Sequence, residues 1–199
     1  MEIRSVASSS RDSRAAAEEI AAGLSDLAPD LVFAFLSHHH GPEFSEVTEV
    51  LSEAFPAASF VGCTAESVIG PDREIEEGPG LSVWAANLPG VESRSFHLKQ
   101  EDLESIETPE AFRDRIGIGP EKNPCFIVLP DPYTIDVDRF LKRMDEAYPG
   151  AVLVGGAASG GAQPGENRLF LDDATTEEGL IGVALTGNLA LSPVVSQGC

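Results

Sequence analysis

The chain is poor in basic residues. Against 33 aspartates and glutamates it has 13 lysines and arginines, which gives a formal net charge of −20 at pH 7. A surface this acidic repels the phosphate groups of nucleic acids and of anionic lipids. The composition therefore argues against a nucleic-acid-binding or membrane-surface protein, and solubility is the simplest consequence of the charge.

Cysteine is also scarce. The three cysteines, Cys63, Cys125 and Cys199, are an odd number and show no CxxC spacing. This pattern predicts neither a disulfide framework nor a zinc site. We therefore expect no metal, and because the glycine-rich stretch Gly155–Gly161 fits no nucleotide-binding motif we expect no cofactor either.

Long apolar runs are missing as well. Residues 1–27 mix charged residues with alanine and have no apolar core of the signal-peptide type. The uncharged stretch Gly179–Cys199 is too polar for a bilayer span, which needs ~20 mostly apolar residues, and we interpret it as two strands. With 42% hydrophobic residues, the 199-residue chain can form one sizeable core or two small ones. These features predict a globular, cytoplasmic protein.

What the sequence does contain is a repeat. Residues Ala54–Gly62 and Ala147–Gly155 share the pattern Ala-aromatic-Pro-small-Ala followed by Val-Gly, 93 positions apart. The same offset carries Phe33 onto Phe126 and Leu36 onto Leu129. Self-similarity of this kind indicates an internal duplication. We expect repeat 1 at about residues 1–92 and repeat 2 at about residues 93–188.

Each repeat has the same predicted order of elements: a strand, a helix, an apolar strand, an amphipathic helix, a buried strand, a glycine-rich loop and a hairpin. The hairpin turns are expected at Leu88-Pro89-Gly90 and at Gly187-Asn188. The order predicts an α/β fold with mixed sheets, built from two βαβαββ-type halves. The halves would pack side by side with pseudo-two-fold symmetry, and the cleft between them would hold a ligand.

Four segments follow the apolar strands, at the carboxyl ends where α/β sheets bind ligands: residues 37–41, 63–67, 131–134 and 156–161. We expect all four to face the shared cleft. The predicted ligand-binding residues in and beside them are Ser37, His38, Gly62, Cys63, Thr64, Glu66, Tyr133, Gly155, Gly156 and Ser159.

Cys63 has three interpretations. In the first, the backbone N–H groups of its loop and the Thr64 hydroxyl bind a carboxylate. In the second, Cys63 is a nucleophile activated by one of the histidines 38–40. In the third, it is a small buried residue at the end of a strand. The second repeat has Gly156 in its place, so the two halves would not share thiol chemistry.

The neighbouring polar residues are less informative. The run His38-His39-His40 is typical of an exposed loop, with one ring available to a ligand. Asp136 is suited to cap a helix, which leaves Tyr133 as the better ligand contact. Nothing marks Glu66 and Glu166 as an acid/base pair.

Two glycine-containing segments resemble the FIST sensory domains. They are Val61-Gly62-Cys63-Thr64-Ala65-Glu66 and Val154-Gly155-Gly156-Ala157-Ala158-Ser159-Gly160, and the resemblance extends from about Ala15 to Cys199. It implies a signal-transduction input domain that binds a small molecule such as an amino acid. No catalytic residue is implied, so we do not expect an enzyme. Only Gly62, Cys63, Thr64, Gly155 and Gly156 match the family residue by residue.

FIST proteins usually carry a second, C-terminal domain. Residues 189–199 are expected to begin that region, with an opening strand over Leu189–Val195 and a junction at Ser196–Cys199. Without the second domain, unpaired strand edges or exposed apolar surface would favour a homodimer. The alternatives to a ligand sensor are an interaction or scaffold module without a ligand, and an enzyme that uses Cys63.

Overall fold

The computed structural model of the chain describes residues 1–194. Within them, twelve strands form two large sheets and one small hairpin, and five α-helices flank the large sheets. The strands are β1 (Glu2–Ser8), β2 (Leu31–Ser37), β3 (Ser59–Ala65), β4 (Val68–Ile69), β5 (Glu74–Ile75), β6 (Leu81–Asn87), β7 (Val91–Leu98), β8 (Cys125–Pro130), β9 (Leu153–Gly155), β10 (Leu169–Leu171), β11 (Ala174–Thr176) and β12 (Leu180–Gly187). The helices are α1 (Ser13–Gly23), α2 (Phe44–Ala54), α3 (Gln100–Ser105), α4 (Pro109–Ile116) and α5 (Val137–Ala147).

Both large sheets are mixed, as predicted. The first has the order β1-β6-β2-β3-β10-β11, and the second has the order β7-β12-β8-β9. The pairs β2/β3 and β8/β9 are parallel, and the other pairs in these sheets are antiparallel. The first four strands of the first sheet and all four of the second thus share one order and one set of directions.

The helices begin where the sequence supplies caps. Asp12 caps α1 by accepting a hydrogen bond from Ala15 N at 2.8 Å. Thr108 does the same for α4, with Pro109 in the first turn. Asp136 caps α5 through Arg139 N at 2.9 Å, which confirms the structural interpretation of that residue. Such caps satisfy N–H groups that the first helical turn cannot.

Three apolar cores divide the molecule into four layers. One core lies between the first sheet and helices α1 and α2, and another lies between the second sheet and helices α3 to α5. The third lies between the sheets and joins Phe33 and Val61 of the first to Leu129 and Ile181 of the second. The order of layers is therefore helix, sheet, sheet, helix, because each sheet buries both of its faces.

This stacking corrects the expected side-by-side arrangement of the halves. The sheets face each other, and buried apolar side chains fill the space where an open cleft was predicted. Polar contacts between the sheets are made by the loops after the strands and by the hydroxyls of Ser59 and Ser93, 2.7 Å apart.

The predicted hairpins were wrong. The turn Leu88-Pro89-Gly90 leads from β6 in the first sheet to β7 in the second, so these two strands do not pair. After β12, residues 188–194 form no strand. Turn-forming residues show where the chain reverses but not which sheet the next strand joins.

The pairing register also corrects the repeat alignment. Ala34 lies opposite Gly62 in the first sheet, and Val128 lies opposite Gly155 in the second. Strand β8 therefore corresponds to β2 with an offset of 94 rather than 93. Phe33 faces the inter-sheet core and Phe126 faces the helices, because a shift of one residue turns a side chain to the other face.

The chain after β12 contributes to the core without pairing. The strand expected over Leu189–Val195 is absent from residues 189–194, and Leu189 and Leu191 pack against the inter-sheet core instead. Val195 and the predicted junction Ser196–Cys199 lie outside the described residues. No helix in residues 1–194 has the length and apolar character needed to cross a membrane.

Candidate functional site

The four predicted loops lie close together. Ser159 N donates to Thr64 O at 3.1 Å, and Glu66 N donates to Ser159 Oγ at 3.1 Å. Ala158 N donates to Pro130 O at 2.9 Å, and a Cβ on Gly160 would lie 3.4 Å from His38 Cβ. The segment after β9 therefore crosses from the second sheet to the first and ties the loops of both sheets together. We call the loops 37–41, 63–67, 131–134 and 156–161 the loop cluster.

A buried side-chain network lies beneath the loop cluster, with Asn167 at its centre. Asn167 Nδ2 donates to Asp131 Oδ1 at 2.9 Å, and Asn167 Oδ1 accepts from Gly161 N at 3.0 Å. Asn167 Oδ1 also accepts from the Thr64 hydroxyl at 3.3 Å, and that hydroxyl in turn accepts from Arg168 N at 3.1 Å. Asn167, Asp131 and Thr64 are each 1% exposed. One amide thus links the end of β3 with the end of β8.

Asp131 organises the second sheet's part of this network. Its Oδ2 accepts from Thr134 Oγ1 at 2.6 Å, and Thr134 Oγ1 in turn accepts from Gly179 N at 2.8 Å. Tyr133 N approaches Asp131 Oδ1 at 3.4 Å. A buried carboxylate is stable only where donors surround it, and here the donors come from two segments, the loop 131–134 and the loop that holds Asn167.

Four of the predicted ligand-binding residues are buried and already engaged. Ser37 Oγ accepts from Gly80 N at 2.8 Å, and Gly62 pairs with Phe170 of β10. The Thr64 hydroxyl has the two partners described above, and Cys63 packs in the inter-sheet core. The hydroxyl expected to bind a carboxylate therefore stabilises the fold instead.

Burial also determines the chemistry of Cys63. The side chain is 3% exposed, and desolvation raises the pKa of its thiol to about 12. A nucleophilic cysteine needs a lowered pKa and access to solvent. The geometry thus favours the third interpretation, a buried residue that packs at the end of its strand.

The histidine run is divided between surface and interior. His38 and His39 are exposed, with ring centroids 4.2 Å apart, whereas His40 is 2% exposed. His40 Nδ1 lies 3.0 Å from Ser13 Oγ, which donates to Glu43 Oε2 at 3.0 Å. Since that hydroxyl has only one hydrogen, Nδ1 carries the imidazole proton and donates it to Ser13.

The other nitrogen of His40 is without a partner. Nε2 is buried and has no hydrogen-bond partner within the described part of the chain. Burial lowers the pKa of His40, and the neighbouring His39 lowers it further, while Glu43 raises it. In residues 1–194 no group of three or more His, Cys, Asp and Glu side chains is arranged to hold a metal ion.

The remaining predicted residues reach the surface of the loop cluster. His38 and Glu66 are exposed on the first sheet's side, and Tyr133 is 45% exposed on the second sheet's side. Tyr133 Oη donates to Gly161 O at 3.3 Å. Between these side chains runs the backbone of Ser159 and Gly160, where Gly160 has a φ of 95°. The exposed groups thus supply a carboxylate, an imidazole and a phenol around a short backbone segment.

Gly155 and Gly156 lie at the start of this segment and border a different feature. Both are exposed, and both line an apolar groove of about 760 Å³ beside α5. The segment after β9 therefore contacts the groove at one end and the loop cluster at the other.

Sequence reasoning missed Asn167. It is a single asparagine in a polar loop, and nothing in the sequence distinguishes it from Asn123 or Asn188. Its importance depends on β10, which begins two residues after it and pairs with β3 although more than 100 positions separate the two strands.

Comparison with known proteins gives consistent matches. Residues 30–199 match the model of the FIST N domain family. The chain is 33% identical over 190 residues to the uncharacterized protein Rv0628c of Mycobacterium tuberculosis. It is 32% identical over 193 residues to the uncharacterized protein Mb0898c of Mycobacterium bovis. Each alignment covers 94% of this chain and 48% of the relative, so the chain spans about half the length of these curated relatives.

Proposed function

Since the chain belongs to the FIST N domain family, a recognised family of sensory and signalling domains, we propose that it is an input domain that binds a small polar ligand at the loop cluster. The observation that carries this proposal is the Asn167 network. It joins loops from both sheets beneath one surface, so a ligand that contacts this surface touches both sheets at once.

The charges around the loop cluster favour a ligand with an amino group. The Glu66 side chain is exposed, and the whole chain has a net charge of −20, which attracts cations and repels anions. Tyr133 and His38 add hydrogen-bonding groups on either side. A free amino acid fits this set, because its ammonium group pairs with Glu66 while its carboxylate accepts hydrogen bonds from neutral donors.

Signalling follows from the position of the segment after β9. Ser159 holds Glu66 N through its hydroxyl, and Ala158 N holds Pro130 O. A ligand that binds one arrangement of these loops more tightly than another shifts the population toward that arrangement. The change then reaches Gly155 and Gly156 at the groove.

We propose in addition that the two halves arose by duplication and that the domain is not catalytic. The shared strand order of the two sheets supports the duplication. The burial and raised pKa of Cys63 support a binding role over thiol chemistry.

A thermal-shift screen tests the ligand. The protein is heated with each of the common amino acids at about 1 mM. A ligand with a Kd of about 10 μM stabilises the folded state by about 2.7 kcal/mol, which raises Tm by roughly 5–10 °C. Glu66→Gln should remove this shift, whereas Glu53→Gln, at an exposed position on α2, should keep it.

Two results would contradict the proposal. One is a screen in which no amino acid or related amine raises Tm. The other is a shift of the same size in wild type, in Glu66→Gln and in Tyr133→Phe, because the ligand would then bind away from the loop cluster.

A further inference from the structure

An apolar groove lies between α5 and the outer edge of β9, which pairs with no strand in the described residues 1–194. Its volume is about 760 Å³, and its walls come from the second sheet, α5 and the chain after β12. Leu141 of α5 is 40% exposed there, and Val194 is 93% exposed. Exposed large apolar side chains that border one groove are typical of a surface that another polypeptide covers.

The first sheet shows which element covers the outer edge of β3, the strand that corresponds to β9. On the far side of β3 from β2 lies β10, which pairs antiparallel with β3 and places Phe170 opposite Gly62. Among residues 1–194 β9 is the last strand of the second sheet, and Gly155 stands where Gly62 stands in the first. A methyl group on either glycine would collide with the neighbouring carbonyl, Ala34 O or Val128 O. The two glycines therefore occupy matching sites, one covered and one open.

Phe170 indicates what the groove can hold. Its side chain is fully buried in the core under α1 and α2, with its ring 6.0 Å from that of Phe44. The positions that form this core have counterparts in the groove wall. In each of the following pairs, the first residue lies in the core of the first sheet and the second lines the groove: Phe44 and Val137, Val47 and Phe140, Leu36 and Pro130, Leu81 and Leu180, and Phe60 and Leu153.

The backbone of β9 is also ready to pair. Gly156 N donates to Val128 O of β8 at 3.3 Å. Since successive N–H groups of a strand point to opposite sides, those of Gly155 and Ala157 point toward the open edge. In the first sheet the matching groups meet β10, where Thr64 N donates to Arg168 O at 2.9 Å.

Two carboxylates on the Leu141 side of α5 favour one kind of partner. Asp138 and Asp145 lie three and four residues from Leu141, so they share its side of α5. Both are exposed, and neither has an ion-pair partner in residues 1–194. A basic segment complements these carboxylates and the acidic surface as a whole.

We propose that this groove binds an extended segment of a partner protein by strand addition. The segment pairs antiparallel with β9, places a large apolar side chain over Gly155 as Phe170 lies over Gly62, and carries basic residues on either side. Strand addition of this kind draws affinity from backbone hydrogen bonds and specificity from the side-chain pocket.

The test uses a fluorescent peptide based on β10, with the sequence Lys-Arg-Leu-Phe-Leu-Lys-Lys. Its fluorescence anisotropy is measured on titration with the full chain. Binding should weaken at least tenfold when the central Phe of the peptide is replaced by Ala. Leu141→Asp in the protein should have an effect of similar size. Ile69→Asp, which makes the same kind of change at a site on β4 that is 71% exposed, should bind the peptide like wild type.

Hydrogen exchange provides a second readout that does not depend on a variant. The peptide should slow exchange of the Gly155 and Ala157 amides while leaving that of Gly62, already paired, unchanged. Equal affinity for wild type and Leu141→Asp, or unchanged exchange at Gly155, would overturn the proposal. So would a stable dimer that Leu141→Asp dissociates and that the peptide cannot disrupt, since a second copy would then be the occupant.

Discussion

Burial sets the chemistry of the individual side chains at the strand ends. Cys63 and Thr64 are neighbours near the end of β3, yet one lies in an apolar core and the other in a polar network. From the sequence we predicted a ligand loop for both residues. The residues that bury them, Leu169 and Asn167, are distant in sequence, so no local pattern indicated the burial. Glu66, two residues later, is exposed and remains a candidate for ligand contact.

Cys63 should react slowly with alkylating reagents in the native protein. With its pKa raised to about 12, the thiol at pH 8 has a thiolate fraction about a thousandfold smaller than a free cysteine near its usual value. Iodoacetamide labelling followed by mass spectrometry of the Cys63 peptide measures this rate, with protein unfolded in urea as the control. Rapid native labelling of Cys63 would restore the nucleophile interpretation.

His40 should make stability depend on pH. Burial lowers its pKa in the folded protein below the value of about 6.5 that it has when unfolded, so the unfolded state takes up the proton first. The stability associated with neutral His40 is complete above about pH 6.5 and is lost as the pH falls toward the lower folded pKa. Urea unfolding of wild type between pH 7.5 and pH 5 should show this loss.

Two variants separate the contribution of His40 to the pH dependence of stability from that of the carboxylates, which also titrate in acid. His40→Asn keeps a donor near Ser13 but cannot be protonated, so its stability should fall less steeply than that of wild type. His38→Asn, at an exposed neighbour, should retain the wild-type slope. Identical slopes in all three proteins would show that His40 does not titrate in this range.

At the scale of elements, the second sheet tolerates a side chain at one of two adjacent glycines only. A Cβ on Gly155 would lie 2.0 Å from Val128 O, whereas a Cβ on Gly156 would meet nothing within 4 Å. Gly155→Ala should lower the free energy of unfolding by about 2–4 kcal/mol, because β8 and β9 must separate to admit it. Gly156→Ala should change it by less than about 0.5 kcal/mol.

Urea denaturation of both variants and of wild type measures this difference. Equal stability of the two alanine variants would mean that β9 is not held against β8 as described. The comparison also bears on strand addition, since the backbone of Gly155 and its neighbours forms the open edge.

The elements themselves were largely predictable from sequence, while their pairing was not. The caps at Thr108 and Asp136 and the stripe of α5 follow from local chemistry, which a single sequence displays. The short helix α3 and the strand β10 were missed, because three to six residues are too few to show a period. The destination of β10 depends on a contact with β3 that no local pattern records.

At the scale of the whole molecule, the predicted duplication and the observed stacking have different physical origins. A repeat in sequence can specify two similar sheets, but the way they pack depends on which faces are apolar. Strands β2, β8 and β12 are buried along almost their whole length, so neither sheet could leave a face open to a cleft. Near-continuous apolar strands indicate burial on both faces, and this signal was present in the sequence.

The shared core predicts that the two sheets unfold together. Leu185 of β12 packs between the sheets, and β10 and β11, from the second half of the chain, complete the first sheet. Neither sheet can therefore lose its structure without exposing the inner face of the other. Trp84 fluorescence reports on the first sheet, where Trp84 lies 5.8 Å from Phe33, and hydrogen exchange of Ile181 reports on the second. Both signals should give one free energy of unfolding.

The variant Leu185→Ala distinguishes joint unfolding of the two sheets from independent unfolding. Removing a side chain from the inter-sheet core should destabilise both sheets by the same amount, about 2–5 kcal/mol, so both signals should move together. Met144→Ala, in the core under α5, should also move both if the molecule is a single cooperative unit. If Met144→Ala lowered the protection of Ile181 while the Trp84 transition stayed in place, the second sheet would unfold alone. The inter-sheet core would then be a contact between two separately stable units, and ligand-driven motion would be free to separate the sheets rather than rearrange only the loops that join them.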